Sequence, residues 1–365
     1  MTNFNKKFLL INGSAEKVLK DIPDNTFHTV VTSPPYWQQR DYFVDGQRGR
    51  EETIEEYINN LVNICREVKR TLRKDGTFWL NIGDSYNNNS GFCRSSDEWK
   101  RGGRENGSSD KKFIIHPYIK RKELFGIPWT LAIALQKDGW YLRCDIIYSK
   151  TNPMPDGAKD RPTRSHEYIF LLTKSQKYFY DYYATLENTL EQPENIQTFG
   201  AKHQEGTFRQ DQNRTFEHYG KRNKRSVWTT SVASYKGGHY ATFNQKLIDP
   251  CIVAGTSEKG CCIKCSSPWK RILEKVKVLA NNKKGYEVKL LSKGWKPTCK
   301  CNIEETKPCL VLDPFSGMAT TGLAAIDHFQ NYVGIELNEK YLKESRKRLY
   351  GTELFIEEVK SIGEF

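Results

Sequence analysis

The chain has 365 residues and carries a formal net charge of +13, from 57 Lys and Arg against 44 Asp and Glu. A chain of this length can bury a sizeable core, either in one large α/β domain with insertions or in two domains. The charge favours a polyanionic partner such as nucleic acid, and the lack of any apolar run near 20 residues argues against a membrane-spanning helix.

The N-terminal residues contain no signal-peptide core, which predicts a cytoplasmic protein. A cytoplasmic chain of this size is expected to keep its ten cysteines reduced. Metal binding is therefore considered before disulfide bonds.

The first 82 residues alternate between strand and helix patterns. Strand-like runs at 8–11 and 26–31 flank a short amphipathic helix at 15–21, and a longer helical period at 54–72 leads to a strand at 77–82. Lys74-Asp75-Gly76 reads as the C-terminal stop of the longer helix. This rhythm predicts βαβ units with a parallel sheet.

A stiff loop directly follows the second strand. Thr32-Ser33-Pro34-Pro35-Tyr36-Trp37 comes after a β-branched run, and the two prolines end the strand abruptly because they fix φ and cannot donate to a ladder. The loop offers a hydroxyl, a carbonyl between prolines and an aromatic face. This combination predicts a cradle for a flat ring that bears an amino group.

The middle of the chain adds further elements of the sheet. The pattern predicts a helix at 128–135, a strand at 141–148 and a strand at 165–172, with 178–181 as the hairpin partner of the last. Residues 87–112 are polar and weakly patterned, so they read as a loop that either orders on DNA or cofactor or lies idle at the surface.

Residues 186–235 have little periodicity but interleave basic and aromatic side chains, which suits contacts with phosphates and bases. A solvated basic linker is the alternative interpretation. The basic residues predicted to contact DNA are Arg209, Arg214, Lys221, Arg222, Lys224 and Arg225.

Two tight cysteine pairs have the spacing of metal ligands. Cys262 and Cys265 form a CxxC, Cys299 and Cys301 form a CxC, and 33 residues separate the pairs. Four thiolates in two knuckles predict a structural zinc site in which every coordination position is filled. Four reduced cysteines without metal remain the alternative, and the neighbouring Cys261 leaves the first ligand open.

A glycine loop near the C-terminus lies between a strand at 310–312 and a helix. Gly317 and Gly322 allow a ligand to approach the backbone near free N–H groups. A second strand ends at Glu336, 19 residues after Gly317, where an acid grips ribose hydroxyls in nucleotide-binding α/β folds. The loop is not GxGxxG, so a dinucleotide is not the default, and the loop suits an adenosine-containing ligand; a surface glutamate without a ligand is the alternative interpretation of Glu336.

Together, Thr-Ser-Pro-Pro-Tyr-Trp at 32–37 and Asp-Pro-Phe-Ser-Gly-x-x-Thr-Thr-Gly at 313–322 make the chain resemble the DNA amino-methyltransferases. These enzymes use S-adenosylmethionine to methylate cytosine N4 or adenine N6. The order of the two motifs resembles the β group of the family. Further matching stretches occur at 152–155, 165–168, 239–243 and 250–252.

This resemblance implies an α/β fold with a doubly wound, mostly parallel, seven-stranded Rossmann-like sheet, permuted so that the catalytic loop precedes the cofactor loop. It implies a catalytic half at 1–185, a target-recognition region at 186–235, a cofactor-binding half at 236–257 and 303–365, and a zinc-knuckle insertion at 258–302. The implied partners are double-stranded DNA and a cognate restriction endonuclease, for a monomer or homodimer associated with the nucleoid.

The resemblance also implies roles for individual residues. Ser33, Pro34, Pro35 and Tyr36 would hold the flipped target base, with Ser33 Oγ and the Pro34 carbonyl accepting hydrogens of its amino group while Tyr36 stacks. The residues implied to surround the cofactor are Asp313, Pro314, Phe315, Gly317, Thr320, Thr321, Gly322, Glu336, Thr242 and Phe243.

The target atom depends on the first position of the catalytic loop. Within the family, Ser at this position is more often associated with cytosine N4, and Asp or Asn with adenine N6; this chain has Ser33. We therefore expect cytosine N4, with adenine N6 as the alternative. An RNA or protein methyltransferase on the same fold and a non-enzymatic zinc DNA-binding protein are the remaining alternatives.

Overall fold

The computed structural model describes residues 6–87, 116–188, 221–232, 244–279, 286–351 and 356–365. The predicted loop at 87–112 lies outside these ranges except for Asn87. No helix in the described ranges is both long and apolar enough to cross a membrane.

Fifteen strands are present in the described part of the chain: β1 (Lys6–Asn12), β2 (Phe27–Thr32), β3 (Leu72–Ile82), β4 (Tyr141–Lys150), β5 (His166–Thr173), β6 (Glu187–Asn188), β7 (Lys221–Arg222), β8 (Val227–Thr230), β9 (Cys261–Cys262), β10 (Lys270–Leu279), β11 (Tyr286–Lys296), β12 (Thr306–Lys307), β13 (Leu310–Asp313), β14 (Asn331–Glu336) and β15 (Ile356–Glu358). The described helices are α1 (Ala15–Val18), α2 (Ile54–Thr71), α3 (Ile127–Lys137), α4 (Gln245–Gly255), α5 (Thr320–Asp327) and α6 (Glu339–Tyr350). Three short 3-10 helices are described as well, at Leu19–Asp21, Tyr182–Thr185 and Ile362–Glu364.

Nine of the described strands form the main sheet, in the order β15-β1-β14-β13-β2-β3-β5-β4-β8. Only β5 runs antiparallel to its neighbours, β3 and β4, so the sheet is mostly parallel as predicted. The predicted count of seven strands is wrong, because β15 pairs with β1 at one edge and β8 pairs with β4 at the other. β8 lies within the predicted target-recognition region, so part of that region belongs to the main sheet.

Two local predictions also differ from the structure. Lys74-Asp75-Gly76 lies within β3, which begins directly after α2 ends at Thr71. Residues 178–181 form no strand. β5 needs no hairpin partner there, because β3 and β4 already pair with its two edges.

Hydrophobic clusters cover both faces of the sheet, as a doubly wound fold requires. On one face, the apolar stripe of α2, including Tyr57, Leu61 and Val68, packs with α3 against the sheet. On the other face, α4 and α5 bury residues such as Ile252 and Ala324. Both faces of the sheet are therefore covered by helices.

The strands β10 and β11 form an antiparallel hairpin outside the main sheet, and β9 pairs with β12 beside it. His28 at the start of β2 contacts the carbonyl of Ser266 through Nε2 at 2.8 Å, and Arg73 at the start of β3 donates to the Cys265 carbonyl. The hairpin and its cysteines are thus attached at the edge where the parallel strands begin.

Candidate active site

The two predicted loops meet at one edge of the sheet. β2 and β13 are parallel neighbours, with Val30 opposite Leu312. Beyond this register, Thr32 Oγ1 donates a hydrogen bond to Asp313 Oδ1 at 2.6 Å. Parallel pairing therefore brings together loops that lie some 280 residues apart in sequence.

The Asp313 carboxylate links the loop that follows β2 to the loop that follows β13. Its carboxylate accepts hydrogen bonds from Thr32, from Thr321 Oγ1 at 2.7 Å and from the Phe315 amide at 3.1 Å. The side chain is buried, and burial raises the pKa of its carboxyl to about 6. Asp313 thus holds the two loops together.

A pocket opens above this link, between the glycine loop, the catalytic loop and the segment that follows Tyr36. Gly317 has a φ of +50° and would meet nothing closer than 4.0 Å if it carried a Cβ, so its backbone is open to a ligand. The pocket is lined by residues that include Gly13, Ser14, Ser33, Pro35, Tyr42, Gln47, Pro314, Phe315, Gly317, Thr320, Glu336, Asn338 and Tyr341.

Glu336 lies at the tip of β14, in the wall of the pocket. Its Oε2 accepts the Gly317 amide and its Oε1 accepts the Asn338 amide, each at 2.7 Å. Burial raises the pKa of the Glu336 carboxyl. The two amides orient the carboxylate and leave it further lone pairs for hydroxyl donors.

The residues predicted to hold a cofactor divide into two groups. Pro314, Phe315, Gly317, Thr320 and Glu336 line the pocket. Asp313, Thr321 and Gly322 are buried and pack behind it, where a Cβ on Gly322 would lie 2.6 Å from the Tyr332 ring. Thr242 and Phe243 lie outside the described residues.

The catalytic loop is tied to β3 and β5 by a polar network. The Asn81 amide group lies 2.9 Å from Tyr36 Oη and 3.3 Å from Ser33 Oγ. Tyr36 Oη donates to Glu167 Oε2 at 2.8 Å, and Lys150 forms an ion pair with Oε1 of the same carboxylate. Burial, and then the charge of Glu167, raise the pKa of the Tyr36 phenol well above its usual value.

Two acceptors at this loop remain open among the described residues. The Pro34 carbonyl receives no hydrogen bond there, whereas the Pro35 carbonyl accepts Tyr57 Oη at 2.8 Å. Asn81 Oδ1 is buried without a partner. A ligand that brings N–H donors to the loop would find acceptors already in place.

Sequence reasoning gave no role to Asn81, Lys150 or Glu167. Asn81 lies near the carboxyl end of β3, and ligands bind at the carboxyl ends of strands in parallel sheets. The position of Asn81 in the sequence is therefore enough to predict a place in the site. A Cβ on Gly83 would lie 2.6 Å from the Tyr36 ring, so this glycine admits the tyrosine. Glu167 and Lys150 meet only because β4 and β5 pair, which their spacing in sequence does not reveal.

Four of the residues predicted to contact DNA are described, and all four make local contacts. Arg222 and Arg225 share the carboxylate of Glu187, and Lys224 lies 5.2 Å from the centre of the Trp228 ring. Lys221 lies over the ring of Tyr183. Arg209 and Arg214 lie outside the described residues.

The four predicted metal ligands come together. The sulfur atoms of Cys262, Cys265, Cys299 and Cys301 all lie within 4.8 Å of one another. A zinc ion bound at ~2.3 Å to four thiolates needs sulfur atoms slightly under ~4 Å apart, so the cluster suits zinc after small adjustments.

Cys261 belongs to a different group, with His28 and Cys309. Both ring nitrogens of His28 are already used: Nδ1 accepts the Leu310 amide and Nε2 contacts the Ser266 carbonyl. This second group is therefore a hydrogen-bonded part of the core, and of the two neighbouring cysteines it is Cys262 that lies with the other three predicted ligands.

A Rossmann-like sheet with a proline-rich loop after β2 and a glycine loop after β13 defines the class of amino-methyltransferases. A family model described as DNA methylase matches residues 27–263 and 305–347. The chain belongs to this family, in its β group. The unmatched stretch at 264–304 coincides with most of the cysteine cluster and the hairpin.

Curated relatives align over almost the whole chain. The Type II methyltransferase M.Cfr9I of Citrobacter freundii is 36% identical over 94% of this chain and 87% of its own length. The Type II methyltransferase M.SmaI of Serratia marcescens is 34% identical over 93% of this chain and 90% of its own length.

Two solved structures share the fold. The PvuII DNA methyltransferase (cytosine-N4-specific) has a TM-score of 0.54 at 15% identity, covering 98% of this chain and 100% of its own. A putative DNA modification methylase of Thermus thermophilus, complexed with S-adenosyl-L-methionine, has a TM-score of 0.50 at 19% identity, covering 97% of this chain and 98% of its own.

Proposed function

We propose that the protein transfers a methyl group from S-adenosylmethionine to N4 of a cytosine flipped out of double-stranded DNA. The observation that carries this proposal is the pairing of a serine-led loop, Ser33 to Tyr36, with a nucleoside-like pocket across the Thr32–Asp313 hydrogen bond. Family membership supports DNA amino-methylation, and Ser33 supports cytosine.

The pocket fits the adenosine part of the cofactor. Glu336 would accept the ribose hydroxyls, the open backbone at Gly317 would pass beside the ligand, and Tyr42 and Tyr341 provide apolar walls. When bound, S-adenosylmethionine supplies an electrophilic methyl group. The chain must then hold the target nitrogen in line with that group, which is a matter of rigid positioning.

The catalytic loop would activate the target amino group by accepting its hydrogens. The nitrogen lone pair of cytosine N4 is delocalised into the ring, and acceptors at Ser33 Oγ and the Pro34 carbonyl draw it back onto nitrogen. Ser33 Oγ can take this role because it accepts from the Asn81 amide and donates to Tyr36 Oη at 3.4 Å. One lone pair of this oxygen remains for the base.

The same network provides a route for the proton that leaves nitrogen when the methyl group is added. Ser33 Oγ takes that proton and passes its own to Tyr36 Oη, and Tyr36 passes one to Glu167 Oε2. Glu167 ends as a neutral carboxyl group, oriented by Lys150. No cysteine nucleophile is required.

The experiment that tests this function is nucleoside mass spectrometry after incubation of duplex DNA with the protein and labelled cofactor. We expect labelled N4-methylcytosine, and none from the Ser33→Ala variant. N6-methyladenine as the sole product would reject cytosine as the target base and leave adenine, the other target base of the same family. Label on RNA or protein but not on DNA would reject the DNA substrate.

We also propose that Cys262, Cys265, Cys299 and Cys301 hold a structural zinc ion. The support is the approach of four sulfur donors to within 4.8 Å of one another from two separate knuckles. With four protein ligands the ion keeps no position for substrate, so it would stabilise the base of the hairpin.

A further inference from the structure

The hairpin segment holds most of the excess positive charge of the chain. Residues 262–301 contain ten lysines, one arginine and two glutamates, a formal charge of +9 out of the +13 of the whole protein. Eight of these lysines belong to residues of described exposure, and all eight are exposed: Lys264, Lys270, Lys275, Lys277, Lys289, Lys293, Lys296 and Lys300.

The strand register places like charges side by side. Lys270 on β10 is directly opposite Lys296 on β11, and like charges at directly opposed positions destabilise a sheet. Lys289 lies opposite Val276, on the same face as Lys270 because six residues separate Val276 from Lys270 along β10. The opposed lysines lower the stability of the hairpin when nothing is bound to it. Binding of a polyanion would neutralise their repulsion and so explain why they lie side by side.

This charged face is far from the methylation site. The hairpin is attached where β2, β3 and β13 begin, through contacts to His28 and Arg73, whereas Ser33 and Asp313 lie where β2 and β13 end. Six residues of β2 at ~3.3 Å each separate the two edges by about 20 Å.

From this placement we propose that the face of the hairpin carrying Lys270, Lys289 and Lys296 binds double-stranded DNA outside the recognition sequence, as a sequence-independent anchor. A two-stranded ribbon of this kind matches the width of the DNA major groove. The lysines contribute through phosphate contacts, which carry no sequence information. The inference rests on DNA being the substrate of the enzyme.

The test compares the triple variant Lys270→Gln, Lys289→Gln, Lys296→Gln with a matched control, Lys20→Gln, Lys137→Gln, Lys177→Gln, which removes the same charge from exposed lysines elsewhere. The affinity for a mixed-sequence duplex without the recognition site is measured across salt concentrations. Loss of three phosphate contacts should reduce the slope of log affinity against log salt by about 2 to 3, while the control should keep the wild-type slope.

A second measurement separates this proposal from the proposed function. Turnover on a short duplex that just spans the methylated sequence should stay within about twofold of wild type in both variants, while methylation of long DNA falls only in the hairpin variant. Equal slopes in the two variants would overturn the anchor. A hairpin variant that loses turnover on the short duplex, with an unchanged melting temperature, would overturn the separation of the two sites.

Absence of methylation by wild type would count against the proposed function alone, since the binding comparison still decides the anchor.

Discussion

At the scale of single residues, the proposed chemistry rests on a chain of hydrogen bonds that starts at Ser33. Ser33, Tyr36 and Glu167 follow one another at 3.4 Å and 2.8 Å, and Asn81 binds all three. In this proposal the Tyr36 hydroxyl passes a proton to Glu167, and the Tyr36 ring stacks on the base. These two parts can be separated by substitution.

We predict that Glu167→Gln and Tyr36→Phe each lower kcat by about 10²-fold, because both interrupt proton removal, which general-base groups accelerate by about 10²–10⁴-fold. Tyr36→Ala should lower kcat further by removing the stacking face. Single-turnover rates report the effect, with cofactor affinity as the control, and we expect that affinity to be nearly unchanged. Wild-type turnover in Tyr36→Phe would restrict Tyr36 to stacking, and wild-type turnover in Glu167→Gln would reject the proton route.

At the scale of elements, β2 and β13 are held together by the buried Asp313. Burial raises the pKa of its carboxyl to about 6, above the ~3.9 of an aspartate in the unfolded chain. Between these values the folded chain binds more protons than the unfolded chain. The stability that Asp313 contributes is therefore fully present below about pH 4 and is lost as the pH rises through about 6.

The predicted result is that the free energy of unfolding of wild type falls relative to Asp313→Asn by about 2 kcal/mol between about pH 4.5 and about pH 7.5. Asparagine does not titrate, so the difference between the two proteins isolates this group. Urea unfolding at each pH measures it. A difference that stays constant with pH would show that Asp313 titrates normally in the folded protein.

The cysteine knuckles are the second element with a testable role. Purified protein should contain about one zinc per chain, and Cys265→Ser should lose it and melt at least ~3 °C lower, the shift that a loss of about 2 kcal/mol produces in a chain of 365 residues. Cys144→Ser is the matched control, because Cys144 lies in neither cysteine cluster. Wild type with far less than one zinc per chain would remove the proposed ion.

Most of the strands, helices and loops that build the fold and the candidate site could be predicted from the sequence. The exceptions have physical causes. The βαβ order, the loop at Ser33 and the strand before Glu336 follow from local patterns of apolar, proline and glycine residues. The edge strands β8 and β15 have four and three residues, too short for a readable alternation. The network at Glu167 depends on the antiparallel pairing of β5 with β3 and β4. No local sequence pattern encodes this pairing.

At the scale of the whole molecule, the two proposed functions lie at opposite edges of the sheet. The edge where the strands end joins the cofactor pocket to the catalytic loop, and the edge where they begin supports the cysteine cluster and a hairpin with most of the net charge. The interleaved basic and aromatic residues at 186–235 predict DNA contacts there. In the described part of that region Arg222 and Arg225 pair with Glu187, so the hairpin is the stronger basic surface among the described residues.

In the proposed function, the loops at Ser33 and Gly317 form one site for cytosine N4 methylation. Single-molecule sequencing of DNA from cells that express wild type or Ser33→Ala tests it most directly, because it reports the modified base and its sequence context together. We predict N4-methylcytosine at one recognition sequence with wild type and no modification with Ser33→Ala. Methyladenine as the only mark would reject cytosine N4 as the target, and an undiminished cytosine mark in Ser33→Ala would reject the role of Ser33.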